Sequence, residues 1–149
     1  MKNRIHLKGE YRYEEAVAGE AGIYPGMLLK LNSSGQVIKY TTLGGAYGDE
    51  VLVAMEDALQ GHSVDDAYTS GEIVGYIIPV PGTVLNMLVA VDEEIAIGDK
   101  VVSEGTGMLC ELGNLESADS AGRVIGVAIE AADLSDSGDG DSLVAIRIV

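Results

Sequence analysis

The chain has 149 residues, with a formal charge of −15 from 24 acidic and 9 basic residues, one cysteine, and neither Trp nor Phe. That length makes one domain or two very small ones, and burying roughly two-thirds of the unfolded surface gives a core without staples. The charge argues against nucleic acid as a direct partner, which needs a cationic face. The apolar runs fall far short of the ~20 residues that span a bilayer, and one cysteine excludes an intrachain disulfide.

Residues 1–20 differ from the rest. Met1-Lys2-Asn3-Arg4-Ile5-His6 is polar and runs into Glu10, Tyr11 and Arg12, so no signal peptide is expected. Four of the nine basic residues, Lys2, Arg4, Lys8 and Arg12, stand here, while the remainder is strongly acidic. Arg4-Ile5-His6-Leu7-Lys8 alternates polar and apolar, which suits a strand. Two readings stay open: an arm that reaches onto a neighbouring acidic body, or a frayed terminus or edge strand guarded by lysine.

From residue 21 the chain is a series of short apolar blocks separated by glycine. They cover 27–31, 36–42, 51–55, 72–80, 83–91, 100–103, 108–112, 123–130 and 142–149. Each is of strand length, and no stretch sustains a 3.6-residue apolar stripe. The fold class is therefore all-β, a compact sandwich or barrel-like body with an extended N-terminal arm. Asn32-Ser33-Ser34-Gly35 and Glu104-Gly105-Thr106-Gly107 predict two hairpins, 27–31 with 36–42 and 100–103 with 108–112. Ser63-Val64-Asp65-Asp66-Ala67-Tyr68 predicts a single helical turn, with Ser63 as cap and Asp66 as its capping-box partner. Pro79 and Pro81 remove backbone donors, so 79–82 should lie at a sheet edge or a crossing between sheets.

An ordered series of matches suggests two similar β-units, 21–91 and 92–149. Ile23, Gly26 and Gly35 recur 72 positions later as Ile95, Gly98 and Gly107. Val53-Ala54-Met55-Glu56 resembles Val127-Ala128-Ile129-Glu130, and residues 71–80 resemble 140–149. A duplicated unit and a coincidental strand–turn periodicity both remain open.

The residues that could carry chemistry are few. The histidines are His6 and His62, and Cys110 occupies an apolar position that suits a small buried hydrophobe better than a nucleophile. No P-loop, Gly-x-Ser-x-Gly elbow or HExxH motif occurs, so no cofactor and no catalytic residue is expected. The acidic groups Asp49/Glu50, Glu56/Asp57, Asp65/Asp66 and Asp92/Glu93/Glu94 read as solvated loop charge. The acidic run from Asp133 to Asp141 is the strongest metal candidate, but it lacks the Ca²⁺-loop spacing and the closing bidentate Glu. Of the seven Tyr, Tyr11, Tyr13, Tyr40, Tyr47, Tyr68 and Tyr76 are candidates for interface anchors, although some must fill the core in a chain without Phe or Trp.

Several of these segments in order resemble one known family. They are Ile23-Tyr24-Pro25-Gly26-Met27 before a hairpin, then Val53-Ala54-Met55-Glu56-Asp57 through Gln60-Gly61 to Ser63-Val64-Asp65-Asp66-Ala67-Tyr68. Gly71-Glu72-Ile73-Val74 leads into Pro81-Gly82-Thr83-Val84, Ile97-Gly98-Asp99-Lys100-Val101 precedes Gly105-Thr106-Gly107, and Val124-Ile125-Gly126-Val127-Ala128-Ile129-Glu130 precedes the last strand. From about residue 20 onward the chain resembles the small decoration (cement) proteins of tailed-bacteriophage capsids. The resemblance implies an all-β, non-enzymatic protein that binds the outer face of the assembled shell and stabilises it. It also implies a homotrimer bridging copies of the major capsid protein near three-fold positions. On this reading Lys2, Arg4, Ile5, Leu7, Lys8, Tyr11, Arg12 and Tyr13 are the expected contacts with shell or adjacent subunit. The alternatives are a carbohydrate-binding or adhesion β-module, a small hydrolase using the acidic pairs, and a self-assembling structural protein.

Overall fold

The computed structural model describes residues 2–115, 122–136 and 141–149. In chain order the strands are β1 His6–Lys8, β2 Tyr11–Val17, β3 Leu28–Leu31, β4 Val37–Lys39, β5 Leu52–Ala54, β6 Ile73–Pro79, β7 Val84–Val89, β8 Glu94–Ile95, β9 Lys100–Ser103, β10 Leu109–Glu111, β11 Gly126–Ala128, β12 Ala132–Asp133 and β13 Ser142–Ile148. Two 3₁₀ turns, Ala58–Gln60 and Leu112–Asn114, are the helical elements among the described residues. The class is all-β, as the short Val- and Ile-rich blocks require.

The strands make two barrels of the same design. In the first, the order is β2-β6-β5-β3-β4, and a parallel bridge Ala18↔Val37 joins the two outer strands. In the second, the order β7-β10-β9-β11-β13 closes because β13 also pairs with β7. The registers correspond pair by pair. Leu29↔Lys39 in the first barrel matches Val101↔Glu111 in the second, and Leu28↔Val53 matches Lys100↔Val127. Val53↔Ile77 matches Val127↔Arg147, and Tyr13↔Ile77 matches Val84↔Arg147. The parallel closure Ala18↔Val37 matches Val89↔Leu109, and the corner bridge Ile23↔Tyr68 matches Ile95↔Ala132.

Two details differ from the sequence reading. The barrels divide at residues 80–83, not between 91 and 92. Residues 80–83 carry the chain from one barrel to the other, the crossing expected of the Pro79–Pro81 segment, and β7 pairs with β13 rather than with β6. The closing-strand match is also out by one residue: the register equates Ile77 with Arg147, not with Ile146. Strand side chains alternate, so that single step exchanges an inward for an outward position.

Both predicted hairpins form. Asn32 Oδ1 accepts from the N–H groups of Ser34 and Gln36 at 2.9 and 3.0 Å and holds the first turn closed. Residues 63–66 make one hydrogen-bonded turn rather than a helix. Ser63 N donates to Asp66 Oδ2 at 2.7 Å, the contact expected of a capping-box partner.

Each barrel is filled by its inward positions. Ala18, Leu29, Val37, Leu52, Ala54, Val74 and Tyr76 pack inside the first. Leu85, Met87, Val89, Val101, Leu109, Val144 and Ile146 pack inside the second, in a core that continues onto Leu28, Val53 and Ile77 of the first barrel. These last three lie on the outer face of their own barrel, so burying them holds the two barrels together.

Candidate functional site

Residues 1–20 are built into both barrels. β1 adds to the edge of β7 and β2 is a wall of the first barrel, so the segment straddles the join. Ile5 is fully buried, its N–H donates to Glu56 Oε2 at 3.0 Å, and its carbonyl accepts from Asn86 N at 2.8 Å. Ile5 is therefore part of this chain's own core and is withdrawn as a contact residue. Asn86 is buried too, and its Nδ2 donates to the Arg4 carbonyl at 2.8 Å. Lys2 is half-buried and ion-paired with Glu130, and burial lowers its pKa. Thr83 Oγ1 donates to the Glu10 carbonyl at 2.5 Å, which ties the turn before β2 to the start of β7.

The other named positions remain at the surface. Arg4, Leu7, Lys8, Tyr11, Arg12 and Tyr13 are exposed. The His6 ring stacks at a tilt on Tyr11 with 4.4 Å between centroids. The Tyr13 ring lies over Gly75, where a Cβ would come within 2.3 Å of its hydroxyl. Tyr40, Tyr68 and Tyr76 turn inward, while Tyr11, Tyr13, Tyr24 and Tyr47 stay exposed. Burial raises the pKa of Tyr68 and pushes that of Tyr76 up to about 12, with a hydrogen bond to Glu14 adding to the latter.

The chemistry-bearing residues do not converge. Cys110 is buried, and desolvation together with Glu93, Glu104 and Glu111 pushes its thiol up to about 12. Glu93 is buried because it is used structurally: Oε2 accepts from Glu111 N at 2.9 Å and from Asn114 Nδ2 at 2.7 Å. Asp65, Asp66 and Glu94 are exposed. Asp133 binds Ser135 and Asp141 binds Val91 N, while residues 137–140 of that acidic run lie outside the described residues. Among the described residues, no three of His, Cys, Asp and Glu come together as metal ligands. A groove of about 670 Å³ runs where the barrels meet, between Tyr24 and Met27 on one side and Leu88 and Leu143 on the other.

What the surface offers instead is an open sheet edge. Ala18 N donates to Glu72 O and Val80 N to Glu10 O, so the even-numbered residues of β2 turn their backbone groups towards β6. The N–H groups of Tyr13, Glu15 and Val17 point the other way, where no strand ladder runs along β2 among the described residues. The sequence reading offered an edge strand somewhere in residues 1–20 but did not single out 11–17 as the open one. The signal was present as Tyr11-Arg12-Tyr13-Glu14-Glu15-Ala16-Val17, whose β-prone residues carry charge and so fail the simple apolar pattern.

No protein-family description and no curated protein matches the chain. Among solved structures, the crystal structure of the head fiber gp8.5 N base in bacteriophage phi29 has the same fold, with a TM-score of 0.55. The two are 13% identical over 94% of this chain and 95% of that one.

Proposed function

We propose that the chain is a structural protein of a bacteriophage head, a decoration protein that binds the outer surface of the assembled shell and stabilises it. The observation that supports this most is the end-to-end fold likeness to the base of a phage head fiber, which agrees with the order of motifs in the sequence. The partner is the major capsid protein, and the bound form is a homotrimer bridging neighbouring capsid subunits. A protein that binds only the expanded shell stabilises it by mass action, by about 2.7 kcal/mol per site at a hundred times Kd. Several weak contacts per trimer add through their effective concentration. Exposed Arg4, Leu7, Lys8, Tyr11, Arg12 and Tyr13 form the candidate contact surface. The same likeness favours a second reading, in which this fold is the base of a longer fiber.

The test adds the purified protein to expanded and unexpanded heads that lack it, then measures co-sedimentation and the temperature of DNA release. Saturable binding to expanded heads with a raised release temperature is expected. Equal binding to both forms, or none, refutes the reading. Electron micrographs of decorated heads separate a low knob from a projecting fiber.

A further inference from the structure

The contact between the two barrels is not symmetric. The first barrel contributes its Tyr24-Pro25-Gly26 loop, and the second contributes the outer edge of β7. Gly26 O accepts from Leu88 N at 3.0 Å, and Gly26 packs against Leu143. Leu88 and Leu143 are a directly opposed pair across β7 and β13. Tyr24 apart, the loop is buried by this contact.

The registers give the counterpart of every piece. Leu88 corresponds to Val17 and Leu143 to Ile73, again an opposed pair, across β2 and β6. Here the pair is open, with Val17 36% and Ile73 53% exposed. Gly26 corresponds to Gly98, so the matching loop is Ala96-Ile97-Gly98. Its tip, Ile97, is 71% exposed. A Cβ on Gly26 would stand 2.7 Å from Leu143, whereas one on Gly98 would meet nothing within 4 Å. The chain therefore presents an unused edge at one end and an unused loop at the other, each the image of a part that is used inside.

The charges fit as well. Leu28, buried in the internal contact, corresponds to exposed Lys100, and Ile77 corresponds to exposed Arg147. Neither cation has an ion pair among the described residues. On the open edge, the position of Asn86 is taken by exposed Glu15. A heterologous contact of this kind repeats head to tail and forms a ring when its rotation closes.

We propose that the Ala96-Ile97-Gly98 loop of one copy docks on the β2 edge of a second copy of this chain, at Glu15, Val17 and Ile73. Gly98 O would accept from Val17 N, with Lys100 and Arg147 set towards Glu15. The proposal rests on the two barrels and not on the phage reading, and it adds the surfaces through which copies would associate.

The experiment uses the full chain and two variants, Ile97→Asp to block the loop and Ile73→Asp to block the edge, with circular dichroism to confirm folding. Light scattering should find wild type as a closed multiple of 15.5 kDa. Each variant alone should be a monomer. A 1:1 mixture of the two should stop at the dimer, because each partner keeps one good surface. A monomeric wild type, variants with wild-type mass, or a mixture that stays monomeric overturns the proposal. If Ile73→Asp does not fold, Val17→Cys combined with Ile97→Cys replaces it. Mild oxidation should link that chain into covalent multimers and leave either single substitution unlinked, the native Cys110 being buried; absence of linkage in the double variant overturns the proposal.

Discussion

Gly26 and Gly98 give a matched pair of sites on which to measure the contact between the barrels. Their φ values are +89° and +96°, so alanine meets a similar backbone penalty at both, about 1–2 kcal/mol. Only Gly26 has neighbours: a Cβ there would lie 2.7 Å from Leu143 Cδ2 and 3.2 Å from both Asn86 O and Leu88 N. Leu143 can rotate away, but the β7 backbone cannot, and overpacking of this kind costs about 1–3 kcal/mol. Gly98→Ala should therefore lose about 1–2 kcal/mol and Gly26→Ala about 2–5 kcal/mol. Urea unfolding followed by circular dichroism, at a concentration where the protein is monomeric, measures both, with each kcal/mol also lowering Tm by about 2–4 °C. Equal losses at the two sites would refute the reasoning, since they would mean that the loop does not bear on β7.

Ile5→Ala should lose about 2–5 kcal/mol, while Leu7→Ala on the exposed face of β1 should stay within about 0.5 kcal/mol, both read from the denaturation midpoint. The Cys110 thiol should resist a thiol-specific reagent at pH 8 in the native protein and react only when denaturant is added, because burial both covers it and holds it protonated. Tyr68 and Tyr76 have folded pKa values above the ordinary 10, so in alkali the unfolded chain loses these protons first. Their contribution is complete below pH 10 and is lost as pH rises from there through about 12, so tyrosinate absorbance from these two should grow together with loss of β-sheet circular dichroism.

The all-β class and both hairpins were legible because turn chemistry and strand period are local signals. Asn32, Gly35, Gly105 and Gly107 mark their turns without help from the rest of the fold. The repeat was legible in its corners, where Ile23/Ile95 and Gly26/Gly98 are held by backbone geometry, and it slipped in the closing strand. Apolar residues crowd both 73–78 and 143–148, and nothing local says which parity faces inward. The fate of residues 1–20 was not legible. Ile5 looks like any apolar residue of an alternating strand; its side chain joins the core of distant strands, and its backbone partners, Glu56 and Asn86, are 51 and 81 positions away. An edge strand among residues 1–20 was one of the two readings, but which strand stays open was not legible, since an edge is defined by a neighbour that is missing.

The two halves keep one design and differ in what their equivalent positions carry. Inside the chain the contact is apolar: Leu28, Val53 and Ile77 are buried against the second barrel, and buried Asn86 uses its amide to hold the Arg4 carbonyl. Such a contact suits two units on one polypeptide, which never separate and gain from burying as much apolar surface as they can. At the free ends Lys100 and Arg147 replace Leu28 and Ile77, and Glu15 replaces Asn86. A fully apolar face at those positions would leave the folded monomer with two sticky ends and a route to open filaments. Charge there opposes non-specific association and would make the proposed contact between copies weaker than the internal one. Burying Glu15 without a cation beside it is costly, so the edge favours a partner that brings one. The Ile97 loop, with Lys100 two residues on, brings both the apolar tip and the cation.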